Sequence, residues 1–206
     1  MEPEKKYIFK IILLGDSSVG KTSLMNQYIK NEFSMQYKAT IGADFLTKVL
    51  TRENSSINLQ IWDTAGSEKF HSVGAGFYRN CETCILVFDL TNEESFKNID
   101  NWRKEFLNNL NPAEGDKYPF VLFGNKSDMV EDIKVTEDQI KEYCLAHNNM
   151  PYFQVCAKNG DKVEEGFDKV CDLAFNRVAK SEEIILPDIK PIKVQPIPEK
   201  KGKCPC

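Results

Sequence analysis

The octet Gly15-Asp-Ser-Ser-Val-Gly-Lys21-Thr22 follows an apolar run over residues 8–14 and has the spacing G-x-x-x-x-G-K-[ST]. Each fixed position has a task in gripping a triphosphate. Glycines let the backbone bend so that successive N–H groups point inward. Lys21 supplies a point charge to the outer phosphates, Thr22 offers a hydroxyl to Mg²⁺, and the following helix turns its positive end toward the anion.

A second apolar run, 120–123, leads into Asn125-Lys-Ser-Asp128, where an open α/β sheet carries its ligand loops. A carboxylate at Asp128 accepts two hydrogen bonds from the N1–H and exocyclic amine of guanine. Adenine offers neither donor and leaves that carboxylate desolvated and unpaired. Sites built on such pairing reject the wrong ligand by roughly 10⁴-fold or more. Asn125 is expected to brace the loop and the base, with the Lys126 stem lying over the ring. The bound nucleotide is therefore GTP or GDP, and Asp128 opposes an ATP-using kinase or ATPase.

The third element, Asp63-Thr-Ala-Gly66, follows Ile57-Asn-Leu-Gln-Ile-Trp62. At a strand end Asp63 can hold the Mg²⁺ shell, and the Gly66 N–H can reach the γ-phosphate. Thr40 lies in a polar stretch between the first helix and the next strand. Its hydroxyl completes the metal shell only while a γ-phosphate holds the loop closed, which predicts a switch that is released after hydrolysis.

With these three motifs in place, the chain resembles the Ras-superfamily small GTPases and, within them, the Rab branch. Ile41-Gly-Ala-Asp-Phe45, Phe77-Tyr-Arg79 and Leu86-Val-Phe-Asp-Leu-Thr91 are similar to Rab-characteristic segments. The strings Gln36 to Lys48 and Asn148-Asn-Met-Pro-Tyr-Phe153 most resemble the late-endosomal subfamily, number seven of the series. The resemblance implies that Ser17, Ser18, Val19, Gly20, Lys21, Thr22 and Ser23 wrap the phosphates. It implies Phe33 edge-on to the base, Ser34 and Tyr37 near the ribose and phosphates, and Mg²⁺ held by Thr22, Thr40 and Asp63. Ala157, in Cys156-Ala-Lys158, would donate its N–H to guanine O6, with Lys158 beside the base. Cys156 stands where the family usually has serine; because the base contact is a backbone one, only a modest loss is expected.

Catalysis would fall to Lys21, Thr40, Gly66 and position 67. There Ser67 replaces the family's water-orienting glutamine and is too short to span the same distance. Slow intrinsic hydrolysis follows, unless a partner or a neighbouring residue supplies the orienting group. A rival reading is an interaction module that stays GTP-bound and barely hydrolyses. The resemblance also implies effectors at switches I and II, an exchange factor, a GTPase-activating protein, a GDP-dissociation inhibitor and a prenylation escort protein. It implies a monomer that controls vesicle trafficking on the cytosolic face of endosomal, lysosomal or phagosomal membranes and cycles through the cytosol.

The elements that must position these residues alternate along the chain. Strand patterns occur at 9–14, 44–50, 57–62, 84–90, 120–124 and 152–155. Helical patterns occur at 21–30, 93–109, 137–147 and 163–179, with a short irregular one at 70–78. This predicts an α/β P-loop GTPase fold, a six-stranded, mostly parallel sheet with helices on both faces and one antiparallel strand. Parity on the strand at 57–62 puts Ile57, Leu59 and Ile61 in the core and Trp62 on the polar side. In the family this tryptophan joins Phe45 and Phe77 in an effector-binding triad, although parity alone does not place Phe45.

The chain has 206 residues, 41% hydrophobic and 28% charged, with a formal net charge of −4, which suits one globular domain and argues against a nucleic-acid surface. No apolar run approaches the roughly 20 residues of a membrane span, and residues 1–6 lack a signal-peptide core, so a cytosolic protein is expected. Cys81 and Cys84 have C-x-x-C spacing, yet extended backbone would set their Cα atoms roughly 10 Å apart, too far for a disulfide. Buried, reduced thiols are expected. The GTP-binding domain is placed at 1–180 and a flexible hypervariable tail at 181–206, where five of the chain's nine prolines fall. In a Rab-like chain the terminal Cys204-Pro-Cys206 resembles a double prenylation signal. Two lipids anchor where one is marginal, and Lys200, Lys201 and Lys203 would add roughly 1 kcal/mol each on an anionic leaflet.

Overall fold

The computed structural model describes residues 5–36, 38–40, 42–52, 55–64, 76, 78–110 and 117–184. Its strands are β1 (Lys5–Leu14), β2 (Ala43–Arg52), β3 (Ser55–Thr64), β4 (Thr83–Asp89), β5 (Phe120–Asn125) and β6 (Tyr152–Gln154). Its helices are α1 (Lys21–Lys30), α2 (Glu93–Lys97), α3 (Ile99–Asn109), α4 (Glu137–Ala146) and α5 (Val163–Ile184). The strands form one sheet in the order β2-β3-β1-β4-β5-β6, in which only the β2–β3 pair is antiparallel.

Side-chain alternation on β1 divides the interior in two. Phe9, Ile11 and Leu13 pack with Leu24, Met25 and Tyr28 of α1 and with Phe167 and Val170 of α5. Ile12 and Leu14 point the other way, to Trp102 and Phe106 of α3 and Ile140 of α4. β4 and β5 are buried at every position, as strands covered on both faces must be. β3, next to the edge, alternates instead, with Ile57, Leu59 and Ile61 inward.

Boundaries depart from the sequence pattern on both strands and helices: β1 begins at Lys5 rather than 9, and β2 and β3 run past the expected 44–50 and 57–62. The single helix expected over 93–109 breaks at Asn98, which ends α2 and begins α3. α5 runs to Ile184, past the expected end at 179; residues 180–184 hold no glycine or proline, and the first proline of the tail is Pro187. Most of the short helix expected at 70–78 lies outside the described residues.

Candidate functional site: a nucleotide cleft at the carboxyl ends of the strands

β1 sits between β3 and β4, so strand order reverses at β1, and ligands of open α/β sheets bind beyond the carboxyl ends at such a point. The carboxyl ends of β1, β3, β5 and β6 all lie at that edge. A cleft of about 770 Å³ opens there, lined by residues 17–18, 20–23, 32–36, 38–40, 125–126, 128 and 157–158 among others. That volume suits a nucleotide-sized ligand.

The phosphate loop is shaped by two glycines with no room for a side chain. A Cβ at Gly15 (φ 148°) would overlap the Val87 carbonyl, and one at Gly20 (φ 97°) would overlap the Asn125 amide. Both positions also need the positive φ that glycine adopts freely. Ser17, Ser18, Gly20 and Ser23 line the cleft. Val19 does not; it is buried in the core, and its carbonyl accepts the Asn125 side-chain amide at 2.8 Å. Lys21, 5% exposed, arches back over the loop and donates to the carbonyls of Gly15 at 2.7 Å and Asp16 at 2.8 Å. Burial lowers its pKa to about 8, against the pull of Asp63 and Asp16. Asn92 caps α2 and Thr136 caps α4 with side-chain oxygens, whereas α1 has Gly20 at that position and no side-chain cap. Its first N–H groups are left for an anion.

Thr22, Thr40 and Asp63 meet at one end of the cleft. The Thr22 hydroxyl donates to Asp63 Oδ2 at 2.5 Å and lies 2.9 Å from the Thr40 hydroxyl, which reaches the same carboxylate oxygen at 3.3 Å. Asp63 is fully buried, and its Oδ1 has no hydrogen-bond partner. Burial raises the Asp63 pKa, opposed by the Thr22 hydrogen bond and the Lys21 charge. An orphaned carboxylate oxygen beside two hydroxyls fits Mg²⁺, a hard cation that takes few protein oxygens and completes its shell with phosphate and water. Thr22, Thr40 and Asp63 would hold it, and the ion would neutralise phosphate charge. Among the described residues no group of three or more His, Cys, Asp or Glu side chains could hold a metal ion.

The other end is built on β5. Asn125, 2% exposed, donates to the Val19 carbonyl at 2.8 Å and accepts the Ala157 N–H at 3.1 Å. It thereby ties the phosphate loop to the loop after β6. Lys126 adopts φ 69° and pairs with Asp89 at 2.5 Å, a partner the tetrapeptide gives no hint of. Asp128 accepts the Cys156 thiol on Oδ1 at 3.2 Å and faces Lys158 at 3.5 Å through Oδ2. The Cys156 hydrogen bond, aided by Lys158, holds the Asp128 pKa below the usual carboxylate range. An ionised carboxylate at the mouth of the cleft is the group that guanine recognition requires.

The Ras family model matches residues 10–176 of this chain. The chain belongs to the Ras family. Its relatives are Rab7-like small GTPases of nearly equal length. The Volvox carteri GTP-binding protein yptV5 is 45% identical over 99% of this chain and 100% of its own. The Arabidopsis thaliana Ras-related protein RABG3f is 48% identical over 91% and 92%, and the Dictyostelium discoideum Ras-related protein Rab-7a 44% over 99% and 100%.

For this Ras-family chain the remaining expected residues fall into three groups. Phe33, Ser34, Lys158 and Ala157 line the cleft, although the Ala157 N–H is engaged by Asn125. Trp62 is half-buried and stacks on Phe45 at 4.9 Å, with Lys10 Nζ 4.7 Å from its ring centre. Phe45, 48% exposed, is thus placed outward. Tyr37, Gly66, Ser67, Phe77, Cys204 and Cys206 lie outside the described residues. Cys81 and Cys84 are buried and free. Two members of the site gave no sequence signal: Asp89 as the partner of Lys126, and the Cys156 thiol as donor to Asp128.

Proposed function

We propose that this chain is a GTP-hydrolysing molecular switch of vesicle trafficking, acting at late-endosomal, lysosomal or phagosomal membranes. The observation that carries the reading is that Thr22 and Thr40, both bonded to the buried Asp63, line the same cleft as Asn125, Lys126 and Asp128. One group suits a metal-bound phosphate chain and the other a guanine ring. The Rab7 names of the relatives support the compartment. Thr40 would sense the γ-phosphate, and the exposed Phe45, stacked on the half-buried Trp62, would with Phe77 present the active state to effectors. Exchange factor, GTPase-activating protein, GDP-dissociation inhibitor and prenylation escort protein complete the cycle. The hydrolysing switch is favoured over a stalled GTP-bound module because it is the common activity of small GTPases.

Ser67 should make intrinsic hydrolysis slow while leaving nucleotide affinity unchanged. Single-turnover GTP hydrolysis by Ser67→Gln is expected to run roughly 10- to 100-fold faster than native. Equal rates would mean that another residue orients the water.

The GTP-binding domain is placed at 1–180 and the tail at 181–206, α5 carrying the first four tail residues to Ile184, with Cys204 and Cys206 both prenylated. Among the described residues no helix is long and apolar enough to cross a membrane. Replacing both cysteines with serine should move the protein from membrane to cytosol on cell fractionation with GTP affinity intact. Persistent membrane association would point to a different anchor.

A further inference from the structure

We propose that Asp16 is a positioning residue for nucleotide binding, clamped by Asn98 and Trp102 so that the phosphate loop is fixed to the junction of α2 and α3. This rests on the nucleotide reading above and deepens it. The helix expected over 93–109 breaks at Asn98, yet the backbone there is fully bonded: the Asn98 N–H donates to the Glu94 carbonyl at 3.0 Å, and its carbonyl accepts the Trp102 N–H at 3.1 Å. Asn98 keeps right-handed helical dihedrals between the two helices, so its side chain stands on the same face as that of Trp102. The Asn98 amide donates to Asp16 Oδ2 at 2.8 Å, and Trp102 Nε1 donates to Asp16 Oδ1 at 2.7 Å. Each carboxylate oxygen has its own donor, and the two donors are four residues apart on one helical face.

Asp16 occupies a free position of the phosphate-loop pattern, where a negative charge repels the very anion the loop binds. Neutral amide and indole donors tie it down without cancelling that charge. The compensation lies in the loop's main chain. The carbonyls of Gly15 and Asp16 are the two acceptors that hold Lys21, so clamping the Asp16 carboxylate fixes the backbone that aims the lysine. Trp102 is 9% exposed within the core cluster of that face, which makes the anchor rigid.

GDP and GMP share the base contacts and differ in the outer phosphate, so the ratio of their affinities for nucleotide-free protein isolates the loop. Asn98→Ala and Trp102→Phe should each lower the GDP-over-GMP preference by about 10-fold, the worth of one charged hydrogen bond, with GMP affinity nearly unchanged. Asp16→Ala, which removes both acceptors at once, should lower the preference by at least as much as either. Asn98 lies at a half-buried junction, so its variant remains informative if Trp102→Phe fails to fold. An unchanged ratio with a lowered melting temperature would overturn the proposal and leave these contacts as support for the fold alone. A preference in Asp16→Ala equal to native would overturn it too, because the clamp would then set nothing in the loop. Native protein that binds neither nucleotide would refute the nucleotide reading itself.

Discussion

The two ends of the cleft are built on opposite plans. At the base end the protein satisfies itself: Asn125 uses its amide NH₂ and its oxygen, Lys126 is paired with Asp89, and both oxygens of Asp128 have a partner. These residues stand at or just beyond the ends of buried strands, and their geometry does not depend on a ligand. At the metal end two hydroxyls share one oxygen of Asp63 while the other has none. Thr40 comes from a segment without regular structure between α1 and β2. A preformed end can read which nucleotide is present; an unfinished end can read whether the γ-phosphate is still there. A switch needs both, because identity must be constant while state must change.

Breaking the base end should have the largest effect. Asp128→Asn replaces the acceptor pair with an amide that suits xanthine's added carbonyl, and competition binding should show the preference for GTP over XTP falling by roughly 10³- to 10⁴-fold. Unchanged selectivity would mean that Asp128 does not read the base. The metal end should respond differently. Thr22→Asn should weaken GTP by roughly 10- to 100-fold relative to GDP, measured by nucleotide dissociation with and without Mg²⁺. Equal losses for both nucleotides would remove the distinction between the ends.

Smaller effects sharpen the base end. A hydroxyl is a better donor than a thiol, so Cys156→Ser should slow GDP release by about two- to fivefold, and stopped-flow release of a fluorescent GDP analogue checks it. The thiol donor that holds Asp128 below the usual carboxylate range keeps it ionised as pH falls from neutral through the upper part of the acid range. The preference for GTP over ITP, which lacks the exocyclic amine, should therefore be the same at pH 7 and pH 5. A fall in that preference over this window would place the Asp128 pKa higher than its neighbours imply.

Much of this was legible in the sequence because spacing and local chemistry carry it. The phosphate loop, Asp63 and Asn125 to Asp128 each follow an apolar strand, and carboxyl ends of parallel strands bring such segments together. Parity set Trp62 on the face opposite Ile57, Leu59 and Ile61, but that face is not polar there, since Trp62 packs half-buried against the second core cluster; parity failed for Phe45 because Leu46 and Leu50 alternate with polar residues on an edge strand. What stayed hidden were contacts between distant segments. Nothing in the order of residues links Asp16 to Asn98 and Trp102, or Lys126 to Asp89, and the break at Asn98 has no glycine or proline to mark it. Cys156 was legible as a departure but not as a donor, because its role depends on where the loop after β6 places its side chain.

The central claim is that this cleft selects guanine nucleotides through its β5 end. Competition of unlabelled GTP, GDP and ATP against a fluorescent GDP analogue on the native protein tests it most directly. GTP and GDP should displace the analogue at comparable concentrations, and ATP should fail to do so even at roughly 10³-fold excess. Displacement by ATP at concentrations similar to GTP would contradict the account.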